Sequence, residues 1–335
     1  MKRMKFQILA VAVAAVLLAA CGGGNGAGNG AGGNRSFNKN WIRGSFPMAS
    51  IPMYMNDQEE VTKYMAQNFW DNFFRIEIDG KEEGDAVHGV YENSFESAFG
   101  RYAMLASMVG AQEMEASIAV FFHNLDSLAL NGERKPLLTV MELMERYFYD
   151  PNSPVLDEEM YLRALDGILA CKSLSDTDKM QYEYQHRICS LNRAGTPAAD
   201  FKFRQMAAGG KMKDGSLYDI KGDYTLIFFN NPGCHACGEI LEAIVNSPVK
   251  EMVSNGKVKV LAMYIDEDLK AWKENRSKFP QEWIYAHDHN MILRDNNIYG
   301  LRAIPSMYLL DKEKRVILKD APVGKVISYL LKQTI

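Results

Sequence analysis

Hydrophobic side chains recur in two different patterns along this chain, and the change from one pattern to the other divides it. From about residue 40 to residue 190 they return every three or four positions, which is the spacing of a helix with one buried face. Ser175 and Asp178 are spaced as a helix N-cap pair, so the last helix of this part is predicted over about 176–191. The other helical segments are YMAQNFWDNFF, SAFGRYAMLASMV, EASIAVFFHNLDSLAL, KPLLTVMELMERYFY and EEMYLRALDGILA.

Beyond residue 191 the pattern changes to short apolar runs that alternate with segments of helical spacing. Such runs, rich in β-branched and aromatic residues, are typical of buried strands. The predicted elements are strands over 224–231 and 257–266, a helix in GEILEAIVNS, a polar helix near 268–278, a hairpin formed by 306–310 and 315–319, and a closing helix over 323–333. This order predicts a central mixed sheet with helices on both faces, preceded by an all-α domain.

The stretch LNRAGTPAADF, residues 191–201, separates the two patterns and contains the glycine and proline of a connecting segment. We therefore predict a helical domain over 40–190, a linker over 191–197 and an α/β domain over 198–335. The helical domain shows no catalytic constellation. Its aromatic segment around Trp70 indicates core packing, and a groove for a binding partner is the alternative interpretation.

Two cysteines of the helical region, Cys171 and Cys189, belong to successive predicted helices. If these helices form an antiparallel hairpin, Cys171 lies near the turn and Cys189 lies roughly 20 Å along the second helix. A disulfide needs Cα atoms within about 7 Å of each other. We therefore predict that both cysteines are buried apolar side chains.

The N-terminus has the pattern of a secretory signal. Basic residues precede the apolar run Ile8–Ala20, which is too short to cross a bilayer comfortably. The run ends in Leu-Ala-Ala-Cys, which resembles a bacterial lipobox and implies that Cys21 is lipidated. The sequence thus predicts a signal peptide over 1–20, a glycine-rich tether over 21–39, and a lipid-anchored protein of the cell envelope that faces the periplasm. An ordinary secretory signal with an incidental cysteine is the alternative.

The charge balance excludes one class of partner and sets the redox context. The chain has 38 Lys and Arg against 42 Asp and Glu, and loss of Lys2, Arg3 and Lys5 with the signal makes it more acidic. No basic patch stands out, so nucleic acid is not an expected partner. Outside the cytosol disulfides form and persist, so a thiol pair there is either oxidised or actively kept reduced.

The candidate chemistry lies in NNPGCHACGEI, where Cys234 and Cys237 fall between a predicted buried strand and a predicted helix. Cys234 is expected at the helix N-terminus, where unpaired N–H groups and the helix dipole favour a thiolate. The thiolate is the form that attacks disulfides, and the two-residue spacing lets Cys237 resolve a mixed disulfide. A protonated His235 would stabilise the thiolate further, and a solvent-facing His235 is the alternative.

Three other uses of the cysteine pair fit the sequence less well. Haem attachment needs a histidine directly after the second cysteine, where this chain has Gly238. Structural zinc needs four ligands, and the available additions are His235, His287 and His289, of which the last two are expected in a polar loop. A purely structural disulfide remains open, but it does not explain the strand–turn–helix setting. No metal and no cofactor are expected.

Two stretches of the second half resemble signatures of thioredoxin-like proteins. LIFFNNPGCHAC resembles their strand and active-site turn, and GLRAIPSMYLL, residues 300–310, resembles their second signature. The resemblance covers about 197–335 and implies a thioredoxin-like fold. It also implies a cis peptide at Ile304-Pro305, facing the cysteines and offering backbone edges to a substrate strand.

Two further resemblances refine this assignment. The segment 279–299 resembles the insertion of the membrane-tethered TlpA/ResA type. In the helical half, NFWDNFF and ERYFYDPNSP…EEMY resemble an uncharacterised helical domain that precedes thioredoxin-like domains in lipoproteins of Bacteroidota. That domain carries no assigned activity.

This chain departs from the thioredoxin pattern at two positions. Gly233 stands where tryptophan is usual, and Phe228 stands where the family buries an acid that assists proton transfer. Similarity to the ResA type implies that Glu267, after the next strand, takes over that role.

The resemblance implies a membrane-anchored thiol–disulfide oxidoreductase in which Cys234 attacks and Cys237 resolves. Its partners would be thiol- or disulfide-containing proteins and a membrane redox partner. The alternative is a tethered interaction module whose thioredoxin-like domain is vestigial.

Overall fold

The computed structural model describes residues 44–78, 86–206 and 210–333. The chain divides into two compact units, Met1–His186 and Arg187–Ile335. The predicted signal peptide, Cys21 and the tether lie outside the described residues. Within the described ranges, no helix is both long enough and apolar enough to cross a membrane.

The first unit is helical and includes one small hairpin. Its helices are α1 (Gln58–Gln67), α2 (Glu92–Val109), α3 (Ala111–Leu130), α4 (Lys135–Phe148) and α5 (Glu158–Ala170), and α6 (Asp176–Cys189) runs across the division point. The hairpin pairs β1 (Ala86–Val87) with β2 (Val90–Tyr91). The helical region ahead of the sheet is thus confirmed, with this hairpin added.

The first helix is shorter than its pattern predicts. It begins at Asp57, whose Oδ1 accepts the backbone N–H groups of Glu59 and Glu60 at 2.9 Å. It ends at Asn68, whose Nδ2 donates to the Tyr64 carbonyl at 2.8 Å. The remainder of the predicted segment forms turns and a 3₁₀ turn over Phe73–Arg75.

Aromatic side chains form the core of the helical unit. Trp70 is 5% exposed and stacks on Phe121 with ring centroids 4.6 Å apart. Its neighbours in the same cluster are Phe46, Phe69, Phe73, Phe95, Phe99 and Tyr102. Burial of this kind supports the core-packing interpretation of the aromatic segment. Cys171 and Cys189 are each 2% exposed, and neither forms a disulfide, as predicted.

The second unit is built on a seven-stranded mixed sheet of order β4-β3-β7-β6-β5-β8-β9. The strands are β3 (Lys202–Met206), β4 (Met212–Ser216), β5 (Tyr224–Asn230), β6 (Val258–Tyr264), β7 (Ile284–His287), β8 (Ser306–Leu310) and β9 (Val316–Leu318). Its helices are α7 (His235–Val245), α8 (Val249–Ser254), α9 (Leu269–Glu274), α10 (Ile292–Asp295) and α11 (Val323–Lys332). Strands β5, β6 and β7 run parallel, and the other pairs are antiparallel.

Strand β5 lies inside the sheet between β6 and β8, and six of its seven residues are buried. Its alternate side chains enter two separate cores. Leu226 and Phe228 face a core that includes residues of α7, α8 and α11. Ile227 and Phe229 face the opposite core, to which α10 contributes Leu293. The predicted mixed sheet with helices on both faces is therefore confirmed.

The predicted linker, 191–197, is instead attached to the edge of the sheet unit. The side chain of Asn192 donates to the Ile298 carbonyl at 2.8 Å and accepts the N–H of Ala199 at 2.7 Å. Val316 in β9 accepts the Gly195 N–H at 2.7 Å and donates its own N–H to Thr196 at 2.9 Å. These bonds satisfy backbone groups that a solvated linker would leave to water.

Candidate active site

Three loops leave the sheet at the same end and carry the residues singled out in the sequence. The last residue of β5, Asn230, is in register with Tyr264, the last of β6. The first residue of β8, Ser306, is opposite Phe229 of β5. The loops after β5 and β6 and the loop before β8 therefore start from one edge, which brings the cysteine turn, the Glu267 segment and the cis-proline segment together.

The turn between β5 and α7 is held by two asparagines. Asn230 is 2% exposed, and its Nδ2 donates to the carbonyls of Phe228 and Met263. The carbonyl of Asn231 accepts the Cys234 N–H at 3.2 Å. The Asn231 side chain donates to Asp266 Oδ2 at 2.7 Å, which ties the cysteine turn to the loop after β6.

The backbone conformation at residue 233 favours glycine, where the thioredoxin pattern usually has tryptophan. Its φ is +79°, in the left-handed region that a side chain disfavours. A Cβ built at this position meets no atom within 4 Å, so the constraint is conformational and not one of space.

The two cysteines occupy different environments at the start of α7. Cys234 is the N-cap residue, and its Sγ accepts the Cys237 N–H at 3.3 Å. Cys234 is partly buried, whereas Cys237 lies one turn inside the helix and is 6% exposed. The positive end of the helix therefore faces the more accessible sulfur, which is the arrangement that favours a thiolate there.

The Cys237 thiol is held in its protonated form. Burial raises the pKa of Cys237 to about 12, with the hydrogen bond to Cys234 acting in the same direction. A backbone hydrogen bond from Asn231 acts in the opposite direction and favours the Cys237 thiolate. At neutral pH Cys237 is consequently a proton-bearing thiol beside the more exposed sulfur.

The segment before β8 contains a cis peptide at Ile304-Pro305. Ile304 is partly buried and packs against both cores of the sheet unit, and Cys234 packs against one of them. Ala303 is exposed. In the part of the chain that the structure describes, the backbone N–H and C=O groups of Ala303 and Ile304 take part in no hydrogen bond. They present an unused backbone edge.

His235 and Glu267, the expected supporting residues, are directed to other partners. The His235 side chain is 93% exposed, and its Nε2 lies 3.3 Å from Glu239 Oε1. The Glu267 side chain is 73% exposed, and its Oε1 accepts Arg294 Nη1 at 2.7 Å.

Phe228, at the position of the usual acid, is fully buried in the same core as Cys237. No carboxylate thus replaces the buried acid at that position of β5.

Of the two histidines expected in a polar loop, His289 lies in an exposed turn, whereas the expectation is wrong for His287. His287 is the last residue of β7, is 4% exposed, and packs on the Trp272 ring with centroids 4.6 Å apart. Burial, together with the nearby cations, lowers the pKa of His287 to about 4. The next residue, Asp288, is 2% exposed and accepts three N–H groups at the start of α10.

Sequence reasoning also missed Asn231 and Asp266, which fix the cysteine turn. Their partnership spans 35 positions, so no local motif marks it. The signal that could have indicated it is the placement of both residues just after parallel strands, whose carboxyl ends share one edge.

Comparisons with known proteins cover both units. Residues 28–192 match the family model described as Domain of unknown function (DUF5106). The crystal structure of a thioredoxin-like protein from Bacteroides caccae is similar over 86% of this chain and 99% of that chain, with 31% identity and a TM-score of 0.77.

Two other matches are confined to smaller parts. The C-terminal domain of an uncharacterized protein from Bacteroides fragilis is 45% identical, covering 42% of this chain and 98% of that chain, with a TM-score of 0.39. Nucleoredoxin from Xenopus laevis is 26% identical over 104 residues, which are 31% of this chain and 25% of nucleoredoxin. The match thus spans about a quarter of the length of that curated relative.

Proposed function

Because this chain belongs to the thioredoxin-like proteins, we propose that it is a thiol–disulfide oxidoreductase in which Cys234 and Cys237 form the redox pair. The observation that carries the proposal is the asymmetry of the two sulfurs. Cys234 caps α7 and is partly exposed, whereas Cys237 is buried one turn behind and donates its N–H to the Cys234 sulfur. The Cys234 sulfur can therefore attack a substrate disulfide, and the Cys237 sulfur can resolve the mixed disulfide that forms.

In the reducing direction, the Cys234 thiolate attacks one sulfur of a substrate disulfide. The substrate S–S bond breaks, a Cys234–substrate mixed disulfide forms, and the first substrate sulfur leaves as a thiolate. Cys237 then loses its proton and attacks Cys234 Sγ, which releases the second substrate sulfur. Two electrons pass to the substrate, and the protein is left with a Cys234–Cys237 disulfide.

The proton of Cys237 needs an acceptor during the second step, since its pKa is raised to about 12 by burial. The buried acid that would serve in other members is replaced by Phe228. The departing substrate thiolate, formed beside Cys237 in the first step, is the acceptor that the reaction itself supplies. The backbone hydrogen bond from Asn231 stabilises the charge that then develops on Cys237.

The substrate segment is proposed to dock on the Ala303–Ile304 backbone, beside the cis Ile304-Pro305 peptide. The unused N–H and C=O groups there can pair with an extended strand in the manner of strand addition to a sheet edge. Such pairing selects a polypeptide and places its disulfide near Cys234 without demanding particular side chains.

The TlpA/ResA type, the lipid anchor and the periplasmic side are part of the same proposal and rest on the sequence. The Leu-Ala-Ala-Cys stretch ending at Cys21 supports lipidation, and an anchored reductant needs a membrane redox partner to restore its thiols. A Cys21→Ser variant is expected to move from the membrane fraction to the soluble periplasmic fraction. Retention of the variant in the membrane fraction would contradict the anchor.

The test of the activity is insulin reduction by the full chain after treatment with dithiothreitol, together with equilibration of the thiol pair against glutathione. We expect turnover and a measurable two-electron potential. If both cysteines stay unreactive in the folded protein, the alternative applies, in which the protein is a tethered interaction module with a vestigial redox site.

A further inference from the structure

One carboxylate holds both ends of the cis-proline segment. Asp320, which follows β9, accepts Arg302 Nη2 on Oδ2 at 3.1 Å and Ser306 Oγ on Oδ1 at 2.7 Å. Arg302 lies three residues before Pro305, and Ser306 follows it directly. The Arg302 side chain is 13% exposed, the Asp320 side chain is 25% exposed and Ser306 is 4% exposed. This bridge is therefore largely shielded from water, where a charge-assisted hydrogen bond is strong.

The backbone around Asp320 directs its carboxylate to the segment. Its φ is +44°, in the left-handed region, which aspartate and asparagine tolerate better than other residues that carry a side chain. The next residue, Ala321, donates its N–H to the Met307 carbonyl in β8 at 3.1 Å. Asp320 is thus fixed alongside the beginning of β8 before its side chain makes either bond.

We propose that Asp320 is a positioning residue that keeps the segment 302–306 in the conformation that receives a substrate strand. The bridge fixes the two flanks of the segment, while the peptide groups of Ala303 and Ile304 between them stay available. Holding a binding edge in its bound geometry lowers the ordering cost of association. The inference rests on the proposed function, since it concerns the docking of the same disulfide substrates.

The bridge acts on docking and not on sulfur chemistry, and this difference defines the test. Asp320→Asn retains the left-handed backbone preference but removes the charge that binds Arg302. We expect its KM for insulin to rise about five- to tenfold, as loss of one charge-assisted hydrogen bond implies, with kcat nearly unchanged. The rate with bis(2-hydroxyethyl) disulfide, which has no backbone to dock, and the potential of the cysteine pair are expected to stay at wild-type values.

A matched control lies at the other end of the same hairpin. Asp311 directly follows β8 and accepts the Arg315 N–H at 2.8 Å in the turn before β9. Asp311→Asn removes an equivalent charge from the same hairpin, remote from Pro305, and is expected to leave both substrates unaffected. Arg302→Gln is expected to raise KM as Asp320→Asn does, and the double variant no further, because the two changes break one bridge.

The outcomes separate the inference from the activity on which it depends. Equal losses with insulin and with the small disulfide, or an unchanged KM for insulin in Asp320→Asn, would overturn the positioning role while the oxidoreductase activity stands. Failure of the wild-type protein to reduce either substrate would overturn the proposed function and the inference with it.

Discussion

Buried cysteines occur in both units, and their surroundings differ in one decisive respect. Cys171 of the helical unit and Cys237 of the sheet unit have nearly the same burial, and burial raises the pKa of each to about 12. Cys171 donates its thiol to the Gly167 carbonyl at 3.3 Å, and the nearby Asp126 carboxylate raises its pKa further. Cys237 has a second sulfur beside it and a backbone hydrogen bond that favours its thiolate.

The comparison shows that low exposure and a high pKa do not by themselves identify a structural thiol. What distinguishes Cys237 is a nearby acceptor for its electrons, the Cys234 sulfur in a mixed disulfide. Among the described residues, the Cys171 sulfur instead lies beside the carbonyls of Gly167 and Phe122. Its charged neighbour Asp126 is a carboxylate, which cannot accept electrons from a thiol. The same side chain is thus inert in one unit and proposed to be reactive in the other.

The largest expected effect comes from substituting the two cysteines of the proposed redox pair in the sheet unit. Cys234→Ser removes the attacking sulfur and is expected to lower insulin reduction by at least about a hundredfold, the scale at which loss of a catalytic group acts. Cys237→Ser is expected to retain the first step and accumulate a mixed disulfide at Cys234, since no second sulfur resolves it. Non-reducing electrophoresis and mass spectrometry of protein incubated with a disulfide-bonded peptide measure both outcomes.

Cys171→Ala is the matched control, because it removes a buried thiol from the helical unit. It is expected to reduce insulin at the wild-type rate. Mixed disulfides in equal yield from the Cys234 and Cys237 variants would show that the assigned order of attack is wrong.

A second contrast concerns buried histidines. His88 of the helical unit is 3% exposed and has Glu133 Oε2 2.7 Å from its Nδ1. His287 of the sheet unit packs on Trp272 and is held neutral, because burial lowers its pKa to about 4. An unfolded histidine titrates near 6.5, so below that pH the unfolded chain binds a proton that the folded sheet unit does not.

His287 therefore leaves the free energy of unfolding unchanged above about pH 6.5. As the pH falls from there to about 4, that free energy decreases by roughly 3 kcal/mol in all because of His287. An NMR titration should give the low ring pKa directly. Urea unfolding of wild type and His287→Gln at pH 7.5 and pH 5 should show a steeper loss in wild type. Comparing the two proteins also cancels the effect of Asp288. The raised pKa of Asp288 increases the free energy of unfolding as the pH falls, which is opposite to the effect of His287. Parallel pH profiles for the two proteins would contradict the assignment.

A third test makes the same substitution in one helix of each unit. A Cβ on Gly167 in α5 would lie 2.4 Å from Phe122 Cδ2, so Gly167→Ala is expected to destabilise the helical unit by about 1–3 kcal/mol through overpacking. A Cβ on Gly238 in α7 meets nothing within 4 Å, and Gly238→Ala is expected to stabilise the sheet unit by about 0.5–1 kcal/mol.

Hydrogen exchange should be used to follow each unit separately, because a chain with two units need not unfold in one step. Destabilisation at Gly238 as large as that at Gly167 would show that close helix packing is not what separates the two positions.

The strands of the sheet unit differ in how far the sequence alone could predict them. Strands β5, β6 and β8 are continuous buried runs, so composition alone identifies them. Strands β3 and β4 contain a single fully buried residue between them, Phe203, and owe their extended form to pairing. Strand β7 has only four residues, lies within the segment 279–299 and pairs with β3, far back in the chain. Such partners are set by tertiary structure and leave little local pattern.

The residues of the candidate site differ in the same way, since some belong to local motifs and others depend on distant contacts. The cysteine spacing is local, and the cis-proline segment has its own signature, so the sequence could indicate both. Asp320 bonds to residues 14 and 18 positions away, and Asp266 bonds to one 35 positions away, and no spacing rule predicts either contact. The ion pair of Glu267 with Arg294 spans 27 positions and forms only once their loops are placed, whereas His235 and Glu239 are one turn apart in α7, a spacing that the sequence does show.

The smallest expected effect belongs to His235, which adjoins Cys234 in sequence. Its side chain is 93% exposed, and its nearest charged partner is the Glu239 carboxylate, 3.3 Å from Nε2. Any positive charge on the ring is therefore screened by water and offset by a carboxylate one helical turn away. His235→Ala is expected to change the reduction potential of the cysteine pair by less than about 30 mV, which corresponds to a tenfold change in the equilibrium constant.

Glu239→Gln completes this test, because it removes the offsetting charge and leaves the histidine in place. If the carboxylate masks His235, the variant should make the couple slightly more oxidising than in wild type, because the ring then acts on the thiolate without the opposing charge. Equilibration of each variant and of wild type against glutathione at the same pH measures the difference. A shift well beyond 30 mV in His235→Ala would instead return His235 to the group of residues that tune the thiolate.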